Sequence, residues 1–235
     1  MTINVLRDEA ELAERAGGFL ANRILLQPSL LLCAATGNTP TATYRKMVDL
    51  LTVEKANHLR VLKLDEWGGV SMKHPRTCEQ YLQTHIVKPL KIPKERYFRF
   101  ASNPENPLQE VERIQKVIEK EQPIDLCILG LGANGHIAFN EPGVDLKPHC
   151  HIAQLSPQSM QHTMAIEMKE KPTYGLTLGM ADIMQSKTIV LLIAGEHKKA
   201  ITKSFLSKKV TTHLPASFLW LHPNVFCFVD RFAYR

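Results

Sequence analysis

Two hydrophobic patterns alternate along this chain of 235 residues. Short, continuous apolar runs predict strands buried on both faces of a sheet, and they occupy residues 30–35, 60–64, 97–100, 126–129, 188–194 and 225–229. Apolar residues spaced three and four apart predict helices, over residues 8–26, 44–51, 78–87, 104–120 and 196–206. Strands that alternate with helices favour the α/β class, with a parallel sheet and helices on both of its faces. The pattern therefore predicts a single domain over residues 1–235.

One long segment, residues 144–175, lacks both patterns. It is polar, weakly periodic and interrupted by Pro148, Pro157 and Pro172. Long segments of this kind in a compact domain are usually either functional or linkers. We therefore expect it to form a mobile lid over the domain.

Composition and charge argue against several classes of protein. An apolar content of 44% and a charged content of 22% are those of an ordinary globular domain. The net charge of +6 is spread along the chain, so we expect no nucleic-acid partner, and an acidic small substrate explains the surplus equally well. No apolar run approaches the roughly 18 residues of a membrane span, so we expect no membrane partner. The sequence leaves the oligomeric state open, a homo-oligomer included.

The five cysteines are odd in number, widely spaced and without a Cys-x-x-Cys pair. This usage indicates neither a disulfide framework nor a zinc site. His149 and His151 flank Cys150, but no further ligand follows at a spacing typical of metal sites. Since residues 1–10 also lack an apolar signal core, we expect a cytoplasmic protein without a bound metal.

Three glycines follow the strand predicted at 126–129. Gly130, Gly132 and Gly135 satisfy the G-x-G-x-x-G dinucleotide pattern. That pattern requires a helix starting at the third glycine, because the helix N-terminus binds the pyrophosphate. Pro142 leaves too little room for such a helix. We therefore expect no nucleotide cofactor.

Other polar residues also collect where predicted strands end. Thr36, Gly37, Asn38 and Thr39 lie between a strand and a helix. Backbone N–H groups at such a junction suit a phosphate, although a plain turn with a threonine cap is equally compatible. Lys198 opposes the dipole of the helix that it begins, and an anion beside it would explain its position better than solvent does.

Candidates for acid–base chemistry lie at two strand ends. Asp65 precedes Glu66 and a tryptophan; a carboxylate beside a water-excluding ring is a candidate base, although a solvated acidic turn is the simpler interpretation. His136 and Glu141 follow the glycines, at the end of a strand where parallel sheets bind ligands. These side chains are therefore the first candidates for catalysis.

Taken together, these motifs resemble the glucosamine-6-phosphate deaminase/isomerase family, whose fold also includes 6-phosphogluconolactonases. The most specific match is Leu-Gly-Ala-Asn-Gly-His-Ile-Ala-Phe-Asn-Glu-Pro-Gly at 131–143, and the supporting matches are at 35–40, 64–67, 176–179 and 195–198. The resemblance covers most of the chain. It implies a modified Rossmann-like sheet that binds an amino-sugar 6-phosphate and uses no cofactor.

The resemblance also implies roles for the matching residues. Those expected at the substrate are Thr36, Gly37, Asn38, Thr39, Glu66, Gly135 and Lys198, of which Gly37, Asn38 and Thr39 would hold the phosphate with Lys198 as its cation. Asp65 would move a proton between C2 and C1 of the opened sugar. His136, supported by Glu141, would protonate the ring oxygen. Ammonia would then leave C2 and give a ketose 6-phosphate.

The chain departs from the glucosamine enzymes at two places. Asn134 stands where they usually carry aspartate; we include it among the catalytic residues and expect its amide to accept from Nδ1–H of His136, which stays mainly neutral near neutral pH unless Glu141 compensates. The phosphate-binding arginine of the lid has no clear counterpart, and the candidates to replace it are His162, Lys169 and Lys171.

Both departures resemble the galactosamine-6-phosphate branch, as do the motifs at 64–67 and 215–222. In that branch the product is tagatose 6-phosphate, and glucosamine 6-phosphate giving fructose 6-phosphate is the alternative. A 6-phosphogluconolactonase is a further alternative, disfavoured by Glu141. A non-catalytic sugar-phosphate sensor is disfavoured by the presence of both Asp65 and His136.

Overall fold

The computed structural model describes residues 1–235, and ten strands form two sheets in it. In chain order the strands are β1 (Thr2–Leu6), β2 (Leu31–Ala34), β3 (Arg60–Lys63), β4 (Asp65–Gly68), β5 (Tyr97–Phe98), β6 (Leu126–Gly130), β7 (His151–Ala153), β8 (Tyr174–Thr177), β9 (Ile189–Ile193) and β10 (Val225–Asp230). The α-helices are α1 (Glu9–Leu26), α2 (Asn38–Asp49), α3 (Cys78–Leu82), α4 (Pro107–Glu121), α5 (Pro157–Met160), α6 (Thr163–Ile166), α7 (Met180–Met184), α8 (Lys199–Leu206) and α9 (Arg231–Tyr234). No helix combines the length and the apolar composition that a bilayer-spanning segment requires.

The larger sheet has seven parallel strands in the order β1-β10-β9-β6-β2-β3-β5. From β2 the chain builds the sheet outward through β3 and β5, then returns to place β6 on the other side of β2. The order of the strands therefore reverses between β2 and β6. The predicted class, a parallel α/β sheet, is confirmed.

Helices cover both faces of this sheet. On one face α1 and α2 pack through Leu20, Ile24 and Met47 against the even-numbered side chains of β2, among others. On the other, α4 and α8 contribute Ile114 and Phe205 to a second apolar cluster. Because the central strands are buried on both faces, they appear in the sequence as continuous apolar runs.

A smaller antiparallel sheet, β4-β8-β7, was not predicted. It holds Asp65 and Glu66 in β4, with both residues buried, so the alternative of a solvated acidic turn is wrong. The predicted lid, 144–175, contains β7, α5, α6 and the start of β8. Its mobility remains a prediction.

One strand of the large sheet was not predicted, and one helix begins earlier than its pattern indicated. Strand β1 at the edge of the large sheet was missed, since Thr2–Leu6 mixes polar and apolar residues. Helix α2 begins at Asn38, well before the first apolar position that indicated it. Asp8 is the N-cap of α1, because it accepts a hydrogen bond from the backbone N–H of Glu11 at 2.8 Å.

Candidate active site

A cavity of about 600 Å³ lies where the order of the strands reverses. Residues from the loops after β2 and β6, from β4, from the turn after β9 and from α5 and α6 line it. Open α/β sheets bind their ligands at such a point, outside the carboxyl ends of the strands. The volume is typical of a small-molecule site.

The loop after β2 presents backbone N–H groups to the cavity. Gly37, with a φ of 125°, is the N-cap of α2 and permits a turn that other residues disfavour. No side chain caps this helix, which leaves the N–H groups of its first turn, at Asn38 and Thr39, for a ligand. Lys198 lines the same cavity, and burial lowers the pKa of its ammonium group. A helix N-terminus and an ammonium group together suit a phosphate.

Asp65 is a buried carboxylate on the cavity wall. Burial and the charge of Glu66 raise the pKa of Asp65 to about 7, against the lowering effects of Lys63 and of a hydrogen bond from Cys78. A carboxylate with such a pKa can both accept and return a proton near neutral pH. The environment of Asp65 is therefore that of a general base.

His136 and Glu141 form a second acid–base group. Nδ1 of His136 lies 3.3 Å from Oε2 of Glu141. Ser159 also donates a hydrogen bond to Glu141 from the lid. Burial would raise the pKa of Glu141, but hydrogen bonds and charge from His136, with hydrogen bonds from Ser159 and Asn134, lower it to about 2. The ionised Glu141 therefore orients His136 so that Nδ1 donates and Nε2 is left for a ligand.

Gly132 is the surface on which this imidazole lies. A Cβ at Gly132 would approach Nε2 of His136 to 2.4 Å, so any other residue would displace the ring. The glycine pattern after β6 thus makes room for a catalytic side chain and not for a pyrophosphate.

Asn134 acts differently from the prediction. Its Nδ2 donates to Oε2 of Glu141 at 2.8 Å, and its Oδ1 accepts from the backbone N–H of His136 at 3.2 Å. The amide therefore does not accept from Nδ1 of His136, which faces Glu141 instead. The carboxylate beside Nδ1 of His136 is therefore supplied by Glu141.

Most of the predicted site residues line this one cavity: Asp65, His136, Thr36, Gly37, Asn38, Thr39 and Lys198. Asn134 and Glu141 lie behind His136. Glu66 is fully buried and bonded to Nζ of Lys63 at 2.6 Å, and Gly135 packs against Leu214. The structure therefore corrects the expectation for Glu66 and Gly135, which support their neighbours and do not line the cavity.

Several cavity residues were missed from the sequence. Gln158, Ser159 and Gln161 come from the predicted lid, and Cys78 comes from the start of α3. None follows a strand of the parallel sheet, so the signal that identified the other residues was missing. His162, one of three candidates for the lid, also lines the cavity.

The His149-Cys150-His151 segment holds no metal-binding arrangement. Nδ1 of His149 lies 3.1 Å from Asp182, and Nδ1 of His151 lies 2.9 Å from the carbonyl of His149. No group of three or more histidine, cysteine or acidic side chains is arranged so that it could hold a metal ion.

The model of the family described as glucosamine-6-phosphate isomerases/6-phosphogluconolactonase matches residues 7–226. The chain belongs to this family. One member, the proposed deaminase AgaI of Escherichia coli (strain K12), is 40% identical over 231 residues, which are 97% of this chain and 92% of that protein. The glucosamine-6-phosphate deaminase of Clostridium botulinum (strain Langeland) is 30% identical over 237 residues, covering 99% of this chain and 97% of the relative.

Solved structures of the family agree with this assignment. That of a monomeric glucosamine-6-phosphate deaminase superposes with a TM-score of 0.92 at 30% identity, over 99% of this chain and 98% of its own. The 6-phosphogluconolactonase of Trypanosoma brucei gives a TM-score of 0.76 at 23% identity, over 99% and 97% of the two chains. The second likeness establishes the shared fold alone.

Proposed function

We propose that this protein converts an amino-sugar 6-phosphate and water into a ketose 6-phosphate and ammonia. The observation that carries the proposal is that Asp65, His136 and the N–H groups after Gly37 all face one cavity. Aldose–ketose isomerisation of a phosphorylated sugar needs one base, one separate acid and an anion site. The relatives named as deaminases support the same reaction.

The phosphate would bind first, at the loop after β2. The N–H groups of Asn38 and Thr39 would donate hydrogen bonds to the phosphate, and the ammonium group of Lys198 would add a positive charge. Anchoring the distal phosphate leaves the sugar ring between Asp65 and His136. This position would place the reacting carbons at the buried base.

His136 would open the ring. Nε2 of the protonated imidazole would donate its proton to the ring oxygen of the sugar, while Nδ1–H stays hydrogen-bonded to Glu141. The ionised Glu141 stabilises the imidazolium before that transfer. As the bond between C1 and the ring oxygen breaks, the C1 hydroxyl gives its proton to water and becomes an aldehyde, which acidifies the hydrogen on C2.

Asp65 would carry out the isomerisation. It removes the proton from C2, the electrons move onto O1, which takes a proton from water to give an enolamine, and the same carboxylic acid returns the proton to C1. The resulting imine at C2 adds water and releases ammonia, which leaves a ketone at C2. A pKa of about 7 suits both halves of this transfer.

His162 is the lid residue that we place at the phosphate. Its Nδ1 accepts from the backbone N–H of Met164 at 3.3 Å, so the proton of a neutral ring sits on Nε2. Nε2 lies 3.5 Å from where a Cβ on Gly37 would be. Burial, together with the charges of His136 and Lys198, lowers the pKa of His162. A neutral N–H donor thus faces the phosphate loop.

The two lid lysines are poorer candidates. Nζ of Lys171 donates to the carbonyls of Ala165 and Ile166, at 3.0 Å and 2.6 Å, and Lys169 is exposed outside the cavity. The lid therefore offers His162 in place of the arginine of the glucosamine enzymes.

Galactosamine 6-phosphate is the substrate that we prefer, giving tagatose 6-phosphate. The two departures from the glucosamine enzymes, at Asn134 and in the lid, support it. Ammonia release from equal concentrations of the two epimers, followed with glutamate dehydrogenase, tests this preference. We expect the larger kcat/KM for galactosamine 6-phosphate, and a larger value for glucosamine 6-phosphate would overturn it.

A lactonase of similar fold is the second candidate. The placement of Glu141 against Nδ1 of His136 argues against it, because hydrolysis of a lactone does not require an imidazole that opens a sugar ring. Release of acid from 6-phosphogluconolactone without release of ammonia from either amino sugar would favour the lactonase.

A further inference from the structure

A buried thiol contacts the carboxylate of Asp65. Cys78, the first residue of α3, is 1% exposed and lines the cavity. Its Sγ lies 3.8 Å from Oδ1 of Asp65, and it accepts a hydrogen bond from Oγ1 of Thr36 at 3.2 Å. A series of hydrogen-bonded side chains thus runs from Thr36, in the loop after β2, through the thiol of Cys78 to Asp65.

The backbone fixes the position of this thiol. The N–H of Cys78 donates to Oε1 of Glu66 at 2.9 Å, and the N–H of Glu79 donates to Oε2 at 2.8 Å. Glu66, the residue after Asp65, therefore anchors the start of α3 directly beside the base. The backbone of Cys78 cannot move away from Asp65 without breaking these bonds.

The direction of the hydrogen bonds follows from the chemistry of each group. Burial raises the pKa of the Cys78 thiol well above its ordinary value, so the sulfur keeps its proton. An ionised carboxylate has no proton to donate. The thiol therefore donates to Oδ1 of Asp65 while its sulfur accepts from Thr36.

We propose that Cys78 is a positioning residue for Asp65. The S–H group of Cys78 holds Oδ1 of Asp65 and leaves Oδ2 to accept the proton from C2 of the substrate. This role rests on the proposed function. A hydrogen bond to an ionised carboxylate also favours the ionised form, so the thiol keeps the base deprotonated to lower pH.

Steady-state kinetics of Cys78→Ala and Cys78→Ser test the role. In Cys78→Ala we expect kcat to fall about tenfold, KM to change little, and the acid limb of the pH profile to move to higher pH. Cys78→Ser keeps an O–H donor and should recover most of kcat and the limb. Cys227→Ala, which removes a buried thiol on β10, is the matched control.

Two outcomes would overturn the role. One is a Cys78→Ala enzyme with wild-type kcat and acid limb. The other is a folded Cys78→Ser enzyme as impaired as Cys78→Ala, because that result assigns the loss to packing and not to a donated hydrogen bond.

Infrared spectroscopy gives a readout that needs no turnover. The wild-type spectrum minus that of Cys78→Ala isolates one S–H stretching band from those of the other four cysteines. This band should shift as Asp65 loses its proton on raising the pH through about 7, and the shift should vanish in Asp65→Asn. A band that does not change with pH would refute the contact even if the protein acts on neither amino sugar.

Discussion

Burial of the Asp65 carboxyl lowers the stability of the native state near neutral pH. The side chain is buried, its neighbour Glu66 carries a like charge, and its pKa is about 7. In the unfolded chain an aspartate has a pKa near 4. As the pH rises from about 4 to about 7, the unfolded state releases a proton that the native state keeps, so the native state loses stability over this window; above it the loss is constant.

Asp65→Asn should therefore stabilise the fold while it slows catalysis. At pH 8 we expect the free energy of unfolding to rise by about 2–4 kcal/mol, with a smaller gain at pH 5. Urea denaturation at both pH values measures the difference. Asp145→Asn, at an exposed lid position, should leave stability within about 0.5 kcal/mol of wild type. A gain that is equal at both pH values, or a loss at pH 8, would contradict the burial of an ionisable base.

Strand β4 places Asp65 through a buried ionic network. Nζ of Lys63, on β3, lies 2.6 Å from Glu66 and 3.3 Å from Glu79. Glu79 also accepts from the hydroxyl of Tyr97 at 3.0 Å. Because charged groups are buried only when they are paired, this network allows a strand of sequence Asp-Glu-Trp-Gly to lie in the interior.

Lys63→Met should expose the dependence of β4 on this network. It leaves two buried carboxylates without their shared cation, so we expect a loss of about 3–5 kcal/mol in the free energy of unfolding. If the variant folds, loss of the lysine charge should also raise the pKa of Asp65 and move the acid limb to higher pH.

Arg7→Met is the control, since Arg7 pairs with Glu11 at 3.1 Å but is 76% exposed. Exposed pairs contribute little to the free energy of unfolding. Equal losses in the two variants, measured by urea denaturation, would show that the buried network has no special weight.

Helices α5 and α6 bring the predicted lid against the loop after β2. Nδ2 of Asn38 lies 3.5 Å from Oγ1 of Thr163, and Ser159 bonds to Glu141. The segment 157–166 thus contacts both the loop after β2 and Glu141, the carboxylate that orients His136. These contacts suit a lid that senses a bound phosphate.

His162→Ala should raise KM about 10- to 100-fold, the effect of losing one hydrogen bond to a charged group, with a smaller effect on kcat. His162→Gln keeps an N–H donor and should lose less. Inhibition by inorganic phosphate is the independent measurement, and its inhibition constant should rise in parallel with KM in His162→Ala. An unchanged inhibition constant would remove His162 from the phosphate site, and Lys169→Ala is the exposed control on the lid.

At the scale of the whole molecule, the parallel sheet explains why the site was partly predictable. Residues after apolar strands must collect at one edge, so Gly37, Asp65 and His136 could be identified as candidates from the strand ends, while their expected roles came from the family resemblance. The antiparallel sheet could not be, because the sequence of β4 is polar and its burial depends on Lys63, a residue that itself looks solvated. The pairing of β4 with β8 joins residues more than a hundred positions apart.

The sequence also did not show which polar residues of the predicted lid face the cavity. Ser159 and His162 lie in a segment without strong periodicity, and only the folded chain shows which of its polar side chains turn inward. Likewise, the sequence suggested that Asn134 binds the imidazole, whereas the structure shows it bonded to Glu141. Motifs identified the chemistry, but hydrogen-bond partners required the three-dimensional arrangement.

Ammonia release by wild type and Asp65→Asn, on the better of the two amino-sugar 6-phosphates, tests the proposed mechanism most directly. Wild type should release one ammonia for each ketose 6-phosphate formed. Asp65→Asn should be slower by about 10²–10⁴-fold, the contribution of a positioned base, whereas Asp145→Asn should match wild type. A wild-type rate in Asp65→Asn, or no ammonia from either sugar with the wild-type protein, would contradict it.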